Sequence, residues 1–164
     1  MRGFAQSTLV LAACAACLHA RGAIPAEEPL LKLPILVAQD VLVNRPAIFP
    51  RAQPLREALV ALLLREGFCL DRRGDFEAFL QLRVDYVPAS RDSEGALTLT
   101  LTLDKATGVR IDEMQEQLEG GRVPSSRLEA ERMVRPLVDE LEDSRAAHEL
   151  AESSAGCADC CAAR

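Results

Sequence analysis

"ALTLTLTLDKATGVRI", residues 96–111, is the stretch that decides the fold. Leu97, Leu99, Leu101 and Leu103 alternate with Thr98, Thr100 and Thr102. A period of two puts every leucine on one side of an extended chain and every threonine on the other. This is a strand with one face buried and one face polar. Asp104-Lys105-Ala106-Thr107-Gly108 reads as a turn, with Gly108 able to take positive φ. Val109 and Ile111 then resume the apolar face. Met114 and Leu118 fall on the opposite parity, so the outgoing strand has a bulge or frays.

Upstream, the same period appears at Ala78, Leu80, Leu82, Val84 and Tyr86, with Gln81, Arg83 and Asp85 between them. Pro88 ends that strand. Before it the period changes to that of a helix. Pro54 stands in a first turn, Leu55, Leu59, Leu62 and Leu63 share one side, and Gly67 supplies a left-handed stop. Ile35 to Val43, bounded by Pro34 and Asn44, reads as a further strand. Downstream, Ser126-Arg127-Leu128-Glu129 is a capping box. Leu128, Met133, Leu137 and Leu141 line one side of the helix it starts, with Val134 and Val138 close by. Pro136 inside that helix is expected to bend or split it. Beyond Ser144 the chain turns polar and Ala-rich and is expected to fray.

The expected order is β-α-β-β-β-α: a two-layer α+β domain, with an antiparallel sheet of about four strands and two helices on one face. The expected divisions are a signal at 1–13, an anchor and tether at 14–34, the domain at 35–145 and a flexible Cys-rich tail at 146–164.

The start of the chain speaks to location. Arg2 precedes an apolar run from Leu9 to Cys17, the pattern of a secretory signal and too short to cross a bilayer. Leu11-Ala12-Ala13-Cys14 resembles the bacterial lipobox, which implies lipidation at Cys14. Cleavage after Ala20 or near Ala23 is the competing reading. Ala15 after the cysteine points to the outer membrane, lipid-anchored on its periplasmic face, against a soluble periplasmic or secreted alternative. The formal charge of the whole chain is -6, and an acidic chain with isolated lysines at Lys32 and Lys105 is a poor binder of nucleic acid.

Chemistry is sparse. His148 lies in the stretch expected to fray, and a solvated histidine is the plain reading. Glu113, Glu116 and Glu119 read as a solvated strand end. The odd feature is the terminal "GCADCCAAR", with Cys157, Cys160 and Cys161. Cys-x-x-Cys lets two thiolates reach one centre, half of a zinc or redox site. In an oxidising compartment disulfides are the default. Cys69 is then either a core thiol or a partner for the tail. With Cys14 lipidated, five thiols remain, Cys17, Cys69, Cys157, Cys160 and Cys161, an odd set.

The chain also resembles the lipopolysaccharide-assembly lipoproteins of Gram-negative outer membranes (the LptE-like family). That resemblance is carried by the lipobox Cys14, by Cys17-Leu18-His19-Ala20-Arg21-Gly22 after it, and by the Leu97–Leu103 strand with its turn to Gly108. The aromatic residue beside the lipidated cysteine is missing, the loop from Pro88 to Gly95 is short, and the Cys-rich tail has no counterpart. A weaker resemblance links the element order to CsgG and TolB amino-terminal-type periplasmic domains. The family likeness implies a non-enzymatic envelope lipoprotein without a cofactor, acting by contact with an outer-membrane or periplasmic protein and held to the membrane by its lipid. Gln81, Arg83, Thr98, Thr100 and Thr102, on the polar sheet face, are the candidate docking residues. The alternative is a periplasmic thiol- or zinc-binding protein acting through Cys157, Cys160 and Cys161.

Overall fold

The computed structural model of the protein describes residues 29–71 and 74–154. In chain order it contains β1 Ile35–Val37, β2 Leu42–Val43, α1 Phe49–Glu66, β3 Ala78–Val87, β4 Ala96–Lys105, β5 Arg110–Glu119, α2 Arg127–Asp143 and α3 Arg145–Ser153. The fold is α+β, an open sheet with helices on one side. β3, β4 and β5 form the antiparallel meander read from the alternation.

The sheet is mixed rather than antiparallel throughout. β1 pairs parallel with β3 through Ile35↔Ala78 to Val37↔Leu80, and β2 pairs parallel with β3 further along, through Leu42↔Arg83 and Val43↔Val84. The cause lies in the connection. A chain that leaves a strand, runs through a helix and returns beside that strand must enter it parallel, because α1 carries it back to the starting end. The single expected strand over 35–43 is two short ones, interrupted at Ala38–Val41. Arg56 Nε donates to the Ala38 carbonyl at 2.5 Å, tying this interruption to α1.

The inner face of the sheet carries Leu80, Leu82, Val84, all four β4 leucines and Met114. These lie in one buried cluster with Leu55, Leu59, Leu62 and Leu63 of α1 and Val134, Leu137, Val138 and Leu141 of α2. Each fully buried leucine of this kind contributes about 1.5 to 3 kcal/mol relative to exposure. α1 stops at Gly67, whose φ of 94° is the left-handed cap expected there, and its N–H donates to the Leu63 and Leu64 carbonyls. At the far end of the sheet, a Cβ on Gly95 would lie 2.6 Å from Ala89 N and one on Gly121 2.9 Å from Ala96 N. Only glycine lets the β3–β4 loop and the β5–α2 loop close against each other.

The structure corrects several details of the helices. α1 begins at Phe49, so Pro54 is inside it and Pro50 takes the first turn. α2 runs unbroken through Pro136, which faces solvent while Val134, Leu137 and Val138 are buried around it. Burial of that stripe outweighs the lost backbone donor. Leu128 is 61% exposed and does not join the core. Residues 146–153 do not fray. They form most of α3, burying Ala147, Leu150 and Ala151. The folded region also starts before residue 35, because a 3-10 turn at Pro29–Lys32 brings Leu30 and Leu33 into the core.

Candidate functional site: the outer sheet face

The strand registers place all five candidate docking residues on one face, opposite the core. Gln81 pairs with Thr102 and Thr102 with Glu113; Arg83 with Thr100 and Thr100 with Gln115; Asp85 with Thr98 and Thr98 with Gln117. Three rows of polar side chains thus cross the three long strands. Glu113, Gln115 and Gln117 belong to this surface, and the sequence reading missed them. The cause is a register shift between Leu103 and Asp104. It sets the parity of β5 so that Asp112, Met114, Glu116 and Leu118 share the inner face with the leucines. Val109, expected to resume the apolar face, is exposed instead. The opposite parity of Met114 and Leu118 was the usable signal.

The face is less open than its composition implies. Thr100 and Thr102 are only 8% and 7% exposed. They stand on the middle strand, and the longer side chains of β3 and β5 on either side of them take up the solvent-facing space. Thr102 Oγ1 donates to the Gln81 carbonyl at 3.4 Å. Gln81 reaches sideways, its Nε2 donating to the Asp40 carbonyl at 2.8 Å and so fastening β3 to the loop between β1 and β2. Arg83 makes a two-pronged contact with Asp85, Nε to Oδ2 at 2.7 Å and Nη2 to Oδ1 at 3.1 Å. The Asp85 carboxylate, through those hydrogen bonds, holds the Arg83 guanidinium above its usual pKa. The surface therefore presents polar groups whose charges are already matched.

Asn44 completes the margin of this face. Its Nδ2 donates to the Tyr86 carbonyl at 3.2 Å and its Oδ1 accepts from Tyr86 N at 2.9 Å. The side-chain amide copies a backbone strand pair and extends the short β2 by one rung. Leu42, 52% exposed, lies beside Arg83 and adds an apolar contact point.

The other candidate residues fall elsewhere. Cys69 is buried, and its carbonyl accepts from Ile35 N at 2.9 Å. Cys14, Cys157, Cys160 and Cys161 lie outside the described residues. Among the described residues no group of three or more His, Cys, Asp or Glu is placed to hold a metal ion. His148 is half-buried in α3 and its Nε2 meets the Glu142 carbonyl at 2.8 Å, a structural contact at the end of α2. A shallow groove between α1 and α2 is lined by Arg65, Leu128, Glu131, Arg132 and Arg135. Two ion pairs cross between the helices here, Arg135 with Glu66 at 2.8 Å and Arg65 with Glu131 at 3.6 Å. No described helix is long and apolar enough to cross a membrane.

No family model matches the chain, and no curated protein does. Among solved structures, a variant PelC dodecamer from Paraburkholderia phytofirmans is similar at 10% identity and a TM-score of 0.47, over 68% of this chain and 87% of that one. Protein XCC0632 from Xanthomonas campestris, of the family DUF330, is similar at 14% identity and 0.45, over 71% and 85%. Lipoprotein GNA1162 from Neisseria meningitidis is similar at 10% identity and 0.41, over 68% and 98%.

Proposed function

We propose that the protein is a non-enzymatic envelope lipoprotein that works by binding another protein through its outer sheet face. The observation that carries this reading is the face itself: three long strands align three rows of polar side chains on the side away from the helices. A sheet covered on one side only leaves its other side for water or for a partner. Paired charges, as at Arg83 and Asp85, cost less to cover than unpaired ones. Thr98, Gln115 and Gln117 supply adaptable hydrogen-bonding groups on it, with Leu42 as an apolar anchor at its margin.

In this reading Cys14 carries a diacyl anchor that holds the domain at the periplasmic face of the outer membrane, and the assembly of lipopolysaccharide or of other outer-membrane material is the process served. No resident cofactor is required. The test is site-specific photo-crosslinking in intact cells, with the cross-linker at Gln117 on the outer face and at Glu57 on α1. One defined adduct from Gln117 and none from Glu57 is expected. Adducts from Glu57 alone would refute the assignment of the surface. Mass spectrometry of the mature chain tests the anchor: a diacylated Cys14 is expected, and a terminus near Arg21 or Ile24 would overturn it. Stoichiometric zinc, lost on truncation before Ser153, would favour the thiol- or metal-binding alternative.

A further inference from the structure

β5 carries a second surface, separate from the outer face: its free edge. The two margins of the sheet are built differently. On one side β1 and β2 span three and two residues and are interrupted between. A broken edge of that kind resists the addition of another strand. On the other side β5 runs ten residues and, among the described residues, pairs only with β4. It contains neither proline nor glycine, and the register irregularity lies at the Leu103/Asp104 end. Among the described residues no backbone hydrogen bond joins α3 to β5. The helix contacts both β5 and the 3-10 turn that leads into β1 at the opposite margin. Arg110, Glu113, Gln115 and Gln117 are exposed.

The charge on the strand selects what can be added. β5 holds Asp112, Glu113, Glu116 and Glu119 against a single cation, Arg110. Arg110 is already committed to Asp104 and Glu113, each at 2.5 Å. A second copy of β5 brings the same acids alongside, and like charges across a strand pair oppose pairing. Glu116 adds a further requirement. It lies on the inner-face row between Met114 and Leu118, half-buried, and among the described residues it makes no hydrogen bond or ion pair. A carboxylate at the rim of an apolar face is stabilised by a cation brought to it.

We propose that the β5 edge takes an extended segment of a partner protein as a sixth strand. Backbone hydrogen bonds to residues 110–119 supply affinity. The segment is basic, with a Lys or Arg beside Glu116 and another beside Glu113. Side chains on the core side of the added strand alternate with that cation and are apolar, so that they extend the row of Met114 and Leu118. This contact goes beyond the outer-face reading and does not depend on it.

The experiment uses the purified full-length chain and three synthetic decapeptides. The first carries Val opposite Met114 and Leu118, Lys opposite Glu116 on the same face and opposite Glu113 on the other, and Thr at the remaining outer positions. The second has Glu for every Lys. The third has the first sequence with alternate backbone amides N-methylated. Saturable binding of the first is expected by fluorescence anisotropy, with at least tenfold weaker binding of the other two. Raising salt from about 0.05 to about 0.5 M should weaken the first, because rim charges are screened. The variant E113K/E119K should fold and shift preference toward the Glu peptide by about tenfold. Hydrogen exchange should show new protection within residues 110–119. Equal binding of the N-methylated peptide, an unchanged preference in E113K/E119K, or protection confined to β1–β3 would each overturn the proposal.

Discussion

Ser144 is the residue whose removal tests the packing logic most directly. It stands between α2 and α3 and is buried. Its hydroxyl donates to the Asp112 carboxylate on β5 and accepts from Ala147 N at 3.2 Å, so one atom both caps α3 and ties it to the sheet. Ser144→Ala fits the same space and removes both bonds. Loss of an N-cap hydroxyl costs about 1 kcal/mol. Loss of a hydrogen bond to a charged acceptor costs about 1.5 to 3 kcal/mol, the low end applying where water can take its place. Asp112 is half-buried and keeps the Glu113 N–H at 2.8 Å, so the low end holds. The expected total is about 2 to 3 kcal/mol by urea unfolding, with no change in m. A double-mutant cycle with Asp112→Ala should return a coupling of about 1 kcal/mol, because the two residues share one bond. A cost for Ser144→Ala below about 0.5 kcal/mol, or strict additivity in the cycle, would show that α3 is not held to β5 through this contact.

Three further outcomes are expected. Leu99→Asp should prevent cooperative folding, since Leu99 is wholly buried on the apolar face, whereas Thr98→Asp on the outer face should be mild; similar melting temperatures for the two would invert the assigned faces. Pro136→Ala should stabilise by about 1 to 3 kcal/mol in thermal or urea unfolding, because a backbone donor returns to a helix already unbroken; a loss of stability would mean that the proline shapes α2. Glu66 is held below its ordinary pKa of 4.5 chiefly by the hydrogen bond from Arg135. A depressed folded-state pKa gives stability that is whole above the unfolded value and lost as pH falls through the folded one. Urea midpoints of wild type and Glu66→Gln should therefore differ near neutrality and converge below the ordinary carboxylate range; a gap that widens in acid would contradict the assignment.

Much of the architecture was legible because one-sided strands advertise themselves. The four β4 leucines fix an inside and an outside, and β3 repeats the pattern in register with them. Capping signals were equally plain: Ser126 accepts from Glu129 N at 3.2 Å, as the capping box requires, although the Glu129 carboxylate turns to Ser125 rather than to Ser126. What stayed hidden depends on contacts distant in sequence. The direction of β1 and β2 follows from the path of α1, which no local period encodes. α3 carries small apolar residues, Ala147 and Ala151, around a single Leu150, and in isolation that composition is as compatible with a frayed tail. Its stability comes from the sheet and the 3-10 turn beside it, and from the Ser144 contact.

The functional surfaces illustrate the same division more sharply. Gln81, Arg83, Thr98, Thr100 and Thr102 were readable as one face because polar residues in a strand can point only one of two ways. Their availability was not readable, since Gln81 is spent on Asp40, Arg83 on Asp85, and two threonines are enclosed by their neighbours. β5 was misread for a different reason. Its apolar residues are too few to outweigh its acids, so Glu116 passed for solvated charge although pairing with Leu99 sets it on the inner face, which Asp112, opposite Leu103, shares. A carboxylate is tolerated there only at a margin, where water or a partner's cation can reach it. Asp112 has a donor within the chain, the Ser144 hydroxyl, and among the described residues Glu116 has none. An inward-facing charge on an edge strand discourages pairing with an apolar strand or with a second copy, so under the strand-addition proposal the segment accepted by the β5 edge is one that brings a cation to Glu116.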